Sequence, residues 1–363
     1  MTVHTSRNHP AEGDGGAELL SATARDLPPG RHQFHKERLM AQIHDMRQTE
    51  RTTPPAPERR RRFPRPAIAL PLTAAGLAAA VVAGVTLTGH DGNGVQDAGP
   101  ALTTTVGAAT TKGVTRLLDQ ISLAATETSA SRPTVRPGQY IYIESKSADS
   151  YVRTVDGTSS LAGHPLHTRQ VWRSPDGTKG WLIDPAVNKS PEGETLSLPD
   201  EQGNTPKPSL NGPSYDYLTK LTTDPDKLLA KIYKETKGHG NSPDQEAFTT
   251  IGDLLGESYP PAGLYPALFK AAAKIPGVVV VDNATDAVGR HGVAVARLDE
   301  TSGQREEWIF DSKSHVFLGE RSVQVRGNSG DDGLITPGTV VYTTAILERT
   351  VVDGIRQTPA ATS

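Results

Sequence analysis

Between Pro66 and Gly89 the chain carries no charged residue: PAIALPLTAAGLAAAVVAGVTLTG. A helix of about 22 residues rises roughly 33 Å, enough to cross a hydrocarbon core of about 30 Å. A charged side chain near mid-bilayer costs about 3 kcal/mol on insertion scales. A run this long without one therefore predicts a transmembrane helix over 66–89, Ala-rich and kinked in its first turn by Pro71. Arg59, Arg60, Arg61, Arg62 and Arg65 stand immediately before the segment, whereas Asp91 is the first charge after it and Lys112 the next basic residue. Positive flanks stay in the cytoplasm. The expectation is a single-pass protein of the plasma membrane, its N-terminus cytoplasmic and residues 90–363 extracytoplasmic. A buried helix of a soluble protein is seldom so free of charge over this length. A cleaved signal is the other alternative, since Arg60-Arg61-Arg62-Phe63 resembles a twin-arginine signal. However, that basic region lies deep in the chain and no A-x-A site closes the apolar run.

The rest of the charge divides at the same place. Residues 1–65 hold 12 Lys and Arg against 8 Asp and Glu, leaving 26 and 33 of the chain's 38 and 41 for the remainder. A basic arm and an acidic body on either side of an apolar segment fit two compartments. The near-neutral total of -3 gives no footprint for direct nucleic-acid binding. With no cysteine, a disulfide framework, a thiolate metal site and a cysteine nucleophile are all excluded.

Gly76, Ala80 and Gly84 recur every four residues and place three small side chains on one helix face. Such a face permits close helix–helix approach and a homodimer through the membrane, although an Ala/Gly-rich segment also shows the pattern by chance. In the arm (1–53), one amphipathic helix is predicted at about 36–47. Leu39, Met40, Ile43 and Met46 form its apolar stripe. So short a helix does not bury its stripe alone, so it meets a cytoplasmic partner, lies on the inner membrane surface or stays partly unfolded. His32, His35 and His44 have no carboxylate in register and read as surface histidines. Pro54, Pro55 and Pro57 open a stiff linker over 54–65.

Outside the membrane, 90–111 has linker composition and 355–363 reads as a tail. Between them, 112–354 is expected to be one α+β domain. Val114, Leu117, Leu118, Ile121 and Ala125 predict a first helix. A strand follows at 138–147, then a hairpin over 169–184 around the turn Ser174-Pro175-Asp176-Gly177. Residues 185–222 are rich in Pro, Gly, Asn and Ser and predict a long surface loop. Asp224-Pro225 and Ser242-Pro243-Asp244-Gln245 are helix starts. A third helix spans Leu264 to Ile275 and stops at Pro276-Gly277. Five strand signals end the chain, at 278–282, 292–298, 305–311, 315–325 and 338–347. Strands before and after a helical block predict a curved antiparallel sheet, half-barrel-like, with helices on one face.

No GxSxG, HExxH, Walker A or GxGxxG motif is present. His164 and His167 form H-x-x-H, but Pro165 between them predicts a loop rather than helical ligand spacing. Asp282, Asp286 and Asp311 sit where turns need carboxylates. No acid, base and nucleophile assemble, so no catalytic residue, metal or cofactor is expected. Tyr140, Tyr142, Trp172, Trp181 and Trp308 are candidates to line an apolar ligand groove, against the plainer alternative of ordinary core aromatics.

W-R-S-P-D-G (172–177), P-G-V-V-V-V-D-N-A-T-D-A-V-G-R-H-G-V-A-V (276–295), W-I-F-D (308–311) and P-G-T-V-V-Y-T-T-A-I-L (337–347) carry a resemblance, together with L-P-P-G-R-H (27–32) and K-E-R-L-M (36–40). In these, in order over nearly the whole chain, the sequence resembles a largely uncharacterised actinobacterial single-pass membrane-protein family often encoded beside extracytoplasmic-function sigma factors. The resemblance implies anti-sigma or signal-relay work across the membrane, with a cytoplasmic sigma factor or other regulator as partner. It supplies no catalytic residues, and the His/Cys zinc motif of the best-known anti-sigma class is absent from this chain. Two function classes follow. One is a membrane-anchored regulator coupling an extracytoplasmic sensor to a cytoplasmic partner. The other is an envelope-anchored binding module for lipid, lipoprotein or glycan.

Overall fold

The computed structural model describes residues 102–359, apart from 131, 156–157, 189, 197–206 and 328–332. The 66–89 segment, its Gly76/Ala80/Gly84 face and the arm helix with Leu39, Met40, Ile43 and Met46 lie outside the described residues. Among the described residues no helix is long and apolar enough to cross a membrane.

Ten strands form one open, curved antiparallel sheet: β1 (Ala109–Thr110), β2 (Tyr140–Val155), β3 (Thr158–Arg173), β4 (Gly180–Ile183), β5 (Glu194–Thr195), β6 (Val278–Thr285), β7 (His291–Leu298), β8 (Gln304–Asp311), β9 (Phe317–Gln324) and β10 (Val340–Val352). Their order is β1-β6-β7-β8-β9-β10-β2-β3-β4-β5. The expected C-terminal meander is therefore real, and β10 joins it to the N-terminal strands, as a sheet built from local hairpins allows. Among the described residues five helices accompany it: α1 (Val114–Ala130), α2 (Tyr215–Leu218), α3 (Pro225–Glu235), α4 (Pro243–Glu257) and α5 (Leu264–Ala272).

The helix starts follow from their caps. Asp224 accepts from the backbone N–H of Asp226 and Lys227 ahead of Pro225, and Ser242 accepts from that of Gln245, satisfying donors that a helix N-terminus otherwise leaves open. The α1 stripe buries Leu117, Leu118, Ile121 and Ala125. These join Phe248, Leu254, Leu268 and Phe269 against Val280, Val295, Trp308 and Phe310 in the main core. Phe248 stacks on Trp308 with ring centroids 3.8 Å apart. The indole leaves no room at α4, where a Cβ on Gly252 would collide with Trp308 Nε1.

Chain that composition assigned to linker and tail is part of the fold. Thr103 bridges Thr339 and Ala109–Thr110 pair with Val281 and Val280. Residues 102–110 thus belong to the fold, and the boundary expected near Lys112 moves towards the N-terminus. At the other end, Trp172 donates its Nε1–H to the Gln357 carbonyl at 2.6 Å, and the Arg356 guanidinium lies 5.3 Å over Trp181. Part of the tail is therefore packed as well. The expected loop 185–222 also contains structure, since β5 and α2 lie within it and Leu210, Tyr215 and Leu218 are buried.

The hairpin at 169–184 forms as expected, with Trp172 opposite Trp181. Gly177, at φ 78°, closes the turn by donating to the Ser174 carbonyl. His164 and His167 are a correction: they stand on β3, not in a loop. Pro165 occupies a bulge, where Ser147 opposes His167 and Asp149 opposes His164 with one extra residue on β3. A bulge is one of the few places in a sheet where a missing N–H does no harm.

Candidate ligand pocket

The five aromatics proposed for a groove do not meet in one. Trp308 faces the helices and is fully buried among them. Tyr142 and Trp172 are buried on the other face, centroids 5.0 Å apart, with Tyr140, Trp181 and Val352 beside them. Tyr142 donates to Glu144, and burial together with that carboxylate raises its phenol pKa. The chain's own tail fills the space over this second cluster, so the aromatics are core rather than cleft.

The paired histidines lie on one face with their carboxylates, His167 buried and His164 half-buried. His164 Nδ1 is 2.8 Å from Asp149, and His167 Nε2 is 3.1 Å from Asp184, which also faces Arg169 at 3.2 Å. His167 Nδ1 is 2.8 Å from the Pro165 carbonyl. Both of its ring nitrogens are thus engaged, and none is left to activate Ser147 across the strand pair. The Asp184 partnership raises the His167 pKa against the burial that would lower it, and His167 and Arg169 hold Asp184 below the ordinary carboxylate value despite burial. This is a closed ion cluster. No group of three or more His, Cys, Asp or Glu with metal-site geometry occurs among the described residues.

A different place is open. β9 pairs with β10 only as far as Gly319 opposite Ala345, while β10 runs on to Val352 paired with β2. Bulges on both strands widen the gap: Leu347 is the extra residue between Ile346 and Glu348, and Leu318 is the extra one where β9 meets β8. Arg290 spans the split. Its Nε binds Asp286 at 2.6 Å, and its Nη2 donates to the carbonyls of Leu318 and Ile346, both at 2.9 Å. Over this gap lies a cavity of about 230 Å³ between the sheet and helices α1 and α5.

Its inner wall is apolar: Ala125, Tyr265, Phe269, Phe317 and Ile346. Val316 and Leu347 edge it, each 40% exposed, two of five large hydrophobic side chains left in solvent among the described residues. His315, also at the edge, holds φ 54°, a left-handed backbone uncommon outside glycine that tends to mark turns and functional sites.

Two further arginines line the cavity without a carboxylate partner among the described residues. Arg349 donates to the Gly256 carbonyl at 3.1 Å and reaches the Tyr265 hydroxyl at 3.5 Å, while its Nε has no partner. Arg132 lies 4.7 Å from the Tyr265 ring centre and 5.6 Å from that of Tyr259, with Nη1 unpartnered. Burial, and Arg132 nearby, pull the Arg349 guanidinium below its ordinary pKa. Glu348 also borders the cavity, but its Cα opposes Glu144 and its charge acts on Tyr142, which places its carboxylate on the other face of the sheet.

Sequence reasoning did not single out these arginines, yet Arg349 left a signal. It alternates with Leu347 and Val351 on what reads as an apolar strand face, where a charge has to be accounted for.

No family model matches the chain, and no curated protein matches it. Among solved structures it is similar to the Pseudomonas aeruginosa MucA/MucB complex, at 10% identity and a TM-score of 0.22. That match covers 69% of this chain and 59% of the other, so the chain spans under two thirds of the structure it matches. A likeness this low carries no argument about function.

Proposed function

We propose that the protein is a membrane-anchored regulator whose extracytoplasmic domain binds an envelope component in the cavity beside Arg132 and Arg349 and relays its occupancy to a cytoplasmic partner, in the manner of an anti-sigma factor. The observation that carries the reading is the pocket itself: a cavity opened by two bulges in mid-sheet, with cationic side chains the fold leaves unpaired. A domain with a purely structural role gains nothing from such charges. The uncharged 66–89 segment and the arginines before it support the anchor, and the stripe Leu39, Met40, Ile43 and Met46 supports a helix-in-groove contact with the partner.

Full-length protein and a form lacking residues 1–50 are to be crosslinked in cells and purified side by side. Recovery of a sigma factor or another transcription regulator with the full chain alone is the expected result. Recovery of none with either form sinks the regulatory reading. The alternative is an envelope-anchored binding module for lipid, lipoprotein or glycan, favoured by the same pocket, in which the arm only tethers. In that case deletion of 1–50 leaves the phenotype of the full chain intact.

A further inference from the structure

We propose that the pocket's ligand is an anion with an apolar body. An ionised phosphate or carboxylate sits between Arg132 and Arg349, and a hydrocarbon part leaves across Val316 and Leu347. This rests on reading the cavity as the ligand site and names the chemistry it takes.

The charge argument comes first. Arg132 and Arg349 border one cavity, each keeps an N–H without a partner, and Arg349 is disfavoured by both burial and its neighbour's charge. Two guanidinium groups held together without a carboxylate are complete only when an anion supplies the acceptors, and phosphate or carboxylate matches their planar donors. Arg290 has no share in this, because Asp286 and two strand carbonyls already occupy it. Glu348 is turned to the far face of the sheet. A cationic ligand would be repelled, and a neutral sugar would leave the arginines uncompensated.

The apolar half follows from the walls and edge. Phe269, Phe317 and Ile346 cannot solvate a free inorganic ion, and about 230 Å³ is smaller than the roughly 300–1,000 Å³ of sites that enclose a drug-sized ligand. The cavity holds a headgroup and the first carbons. Leu347, pushed outward by the bulge, and Val316 extend the apolar track beyond the mouth.

Full-length protein in phosphatidylcholine nanodiscs is the form to titrate calorimetrically, with empty nanodiscs as the blank. The probes are hexyl phosphate, hexanoate, hexyltrimethylammonium and inorganic phosphate. Hexyl phosphate or hexanoate is expected to bind at least tenfold more tightly than the ammonium and than inorganic phosphate, and whichever of the two is tighter identifies the headgroup. Arg132→Gln and Arg349→Gln are each expected to lose about tenfold for the preferred probe. Because Arg349 also holds the Gly256 carbonyl, Val316→Asn at the exposed edge serves as a second variant, polar but uncharged and expected to weaken the amphiphile but not inorganic phosphate. Equal affinity for the anionic and cationic amphiphiles overturns the proposal while leaving a ligand-binding domain in place, and so does inorganic phosphate binding as tightly as hexyl phosphate. If no probe binds at all, the proposal falls, and the crosslinking result alone then decides the regulatory reading.

Discussion

Two groups of arginines in this domain make opposite use of the same side chain. On the face away from the helices, Arg305 and Arg321 grip the two oxygens of Glu307 at 2.6–2.7 Å. Spare donors go to backbone, Arg305 to the Gly107 carbonyl at 2.9 Å and Arg321 to that of Thr285. All three residues are under 8% exposed, with Glu307 fully buried. On the helix face, Arg132 and Arg349 have aromatic rings and one carbonyl for company, and no carboxylate among the described residues. The first group is closed in charge: each guanidinium meets a Glu307 oxygen, although Arg305 Nη2, 2.6 Å from that carboxylate, lies outside hydrogen-bond geometry. The second is open. Burial alone does not make an arginine structural; what matters is whether the fold also supplies its counter-charge.

If that distinction holds, the closed group is where a single substitution does most damage. Glu307→Gln leaves two buried guanidinium groups sharing one neutral amide. Breaking a buried ion network from one side costs about 3–5 kcal/mol. Denaturant unfolding of the full chain at neutral pH should show a loss in that range, and a loss under about 1 kcal/mol would mean the network is not closed.

Much of the scaffold that makes this contrast was legible in the sequence. Asp224-Pro225 and Ser242-Pro243 name their helix starts through cap chemistry, and the meander from β6 to β9 follows from short polar turns between β-branched runs. These signals are local, so a local reading finds them. The misses are not local. Pro165 looked like a loop breaker because the bulge that accommodates it exists only once β2 is paired alongside. Trp308 and Trp172 looked like partners because alternation within a strand shows which residues share a face but not which face adjoins a strand five further along the chain. The pocket depends on β9 ending where β10 continues and on the extra residue Leu347, both properties of register. Only the alternation of Leu347, Arg349 and Val351 pointed towards it.

A carboxylate provides the converse of the open arginines and a smaller test. Glu246 on α4 is 1% exposed, with one oxygen unpartnered, and burial, with Glu306 next, pushes its pKa up to about 8. A folded-state pKa above the unfolded one means that the native protein binds the proton more tightly. Stability is therefore greatest below the ordinary Glu pKa and falls as pH rises from about 4.5 towards 8. Glu246→Gln removes that slope. Relative to wild type, the variant should gain with rising pH, by a few kcal/mol near pH 9, and match it near pH 4. Parallel pH–stability curves for the two proteins would show that Glu246 has a counter-charge after all.

The smallest expected effect is the sharpest test of the contrast. Arg349→Met keeps most of the side chain's length and its place beside Tyr265 in the cavity wall while removing the charge. No carboxylate is orphaned, so the penalty that dominates at Glu307 has no counterpart. What is lost is the bond to the Gly256 carbonyl, worth about 1–2 kcal/mol with a charged donor. What is recovered is the cost of holding a guanidinium in a site that already lowers its pKa. The two oppose each other, and the net change in unfolding free energy should stay within about 1 kcal/mol of wild type. Arg349 would then be nearly neutral for folding where Glu307 is not, as a residue kept for a ligand should be. A loss near that of Glu307→Gln would instead make Arg349 part of the scaffold, and the two groups of arginines would no longer differ in kind.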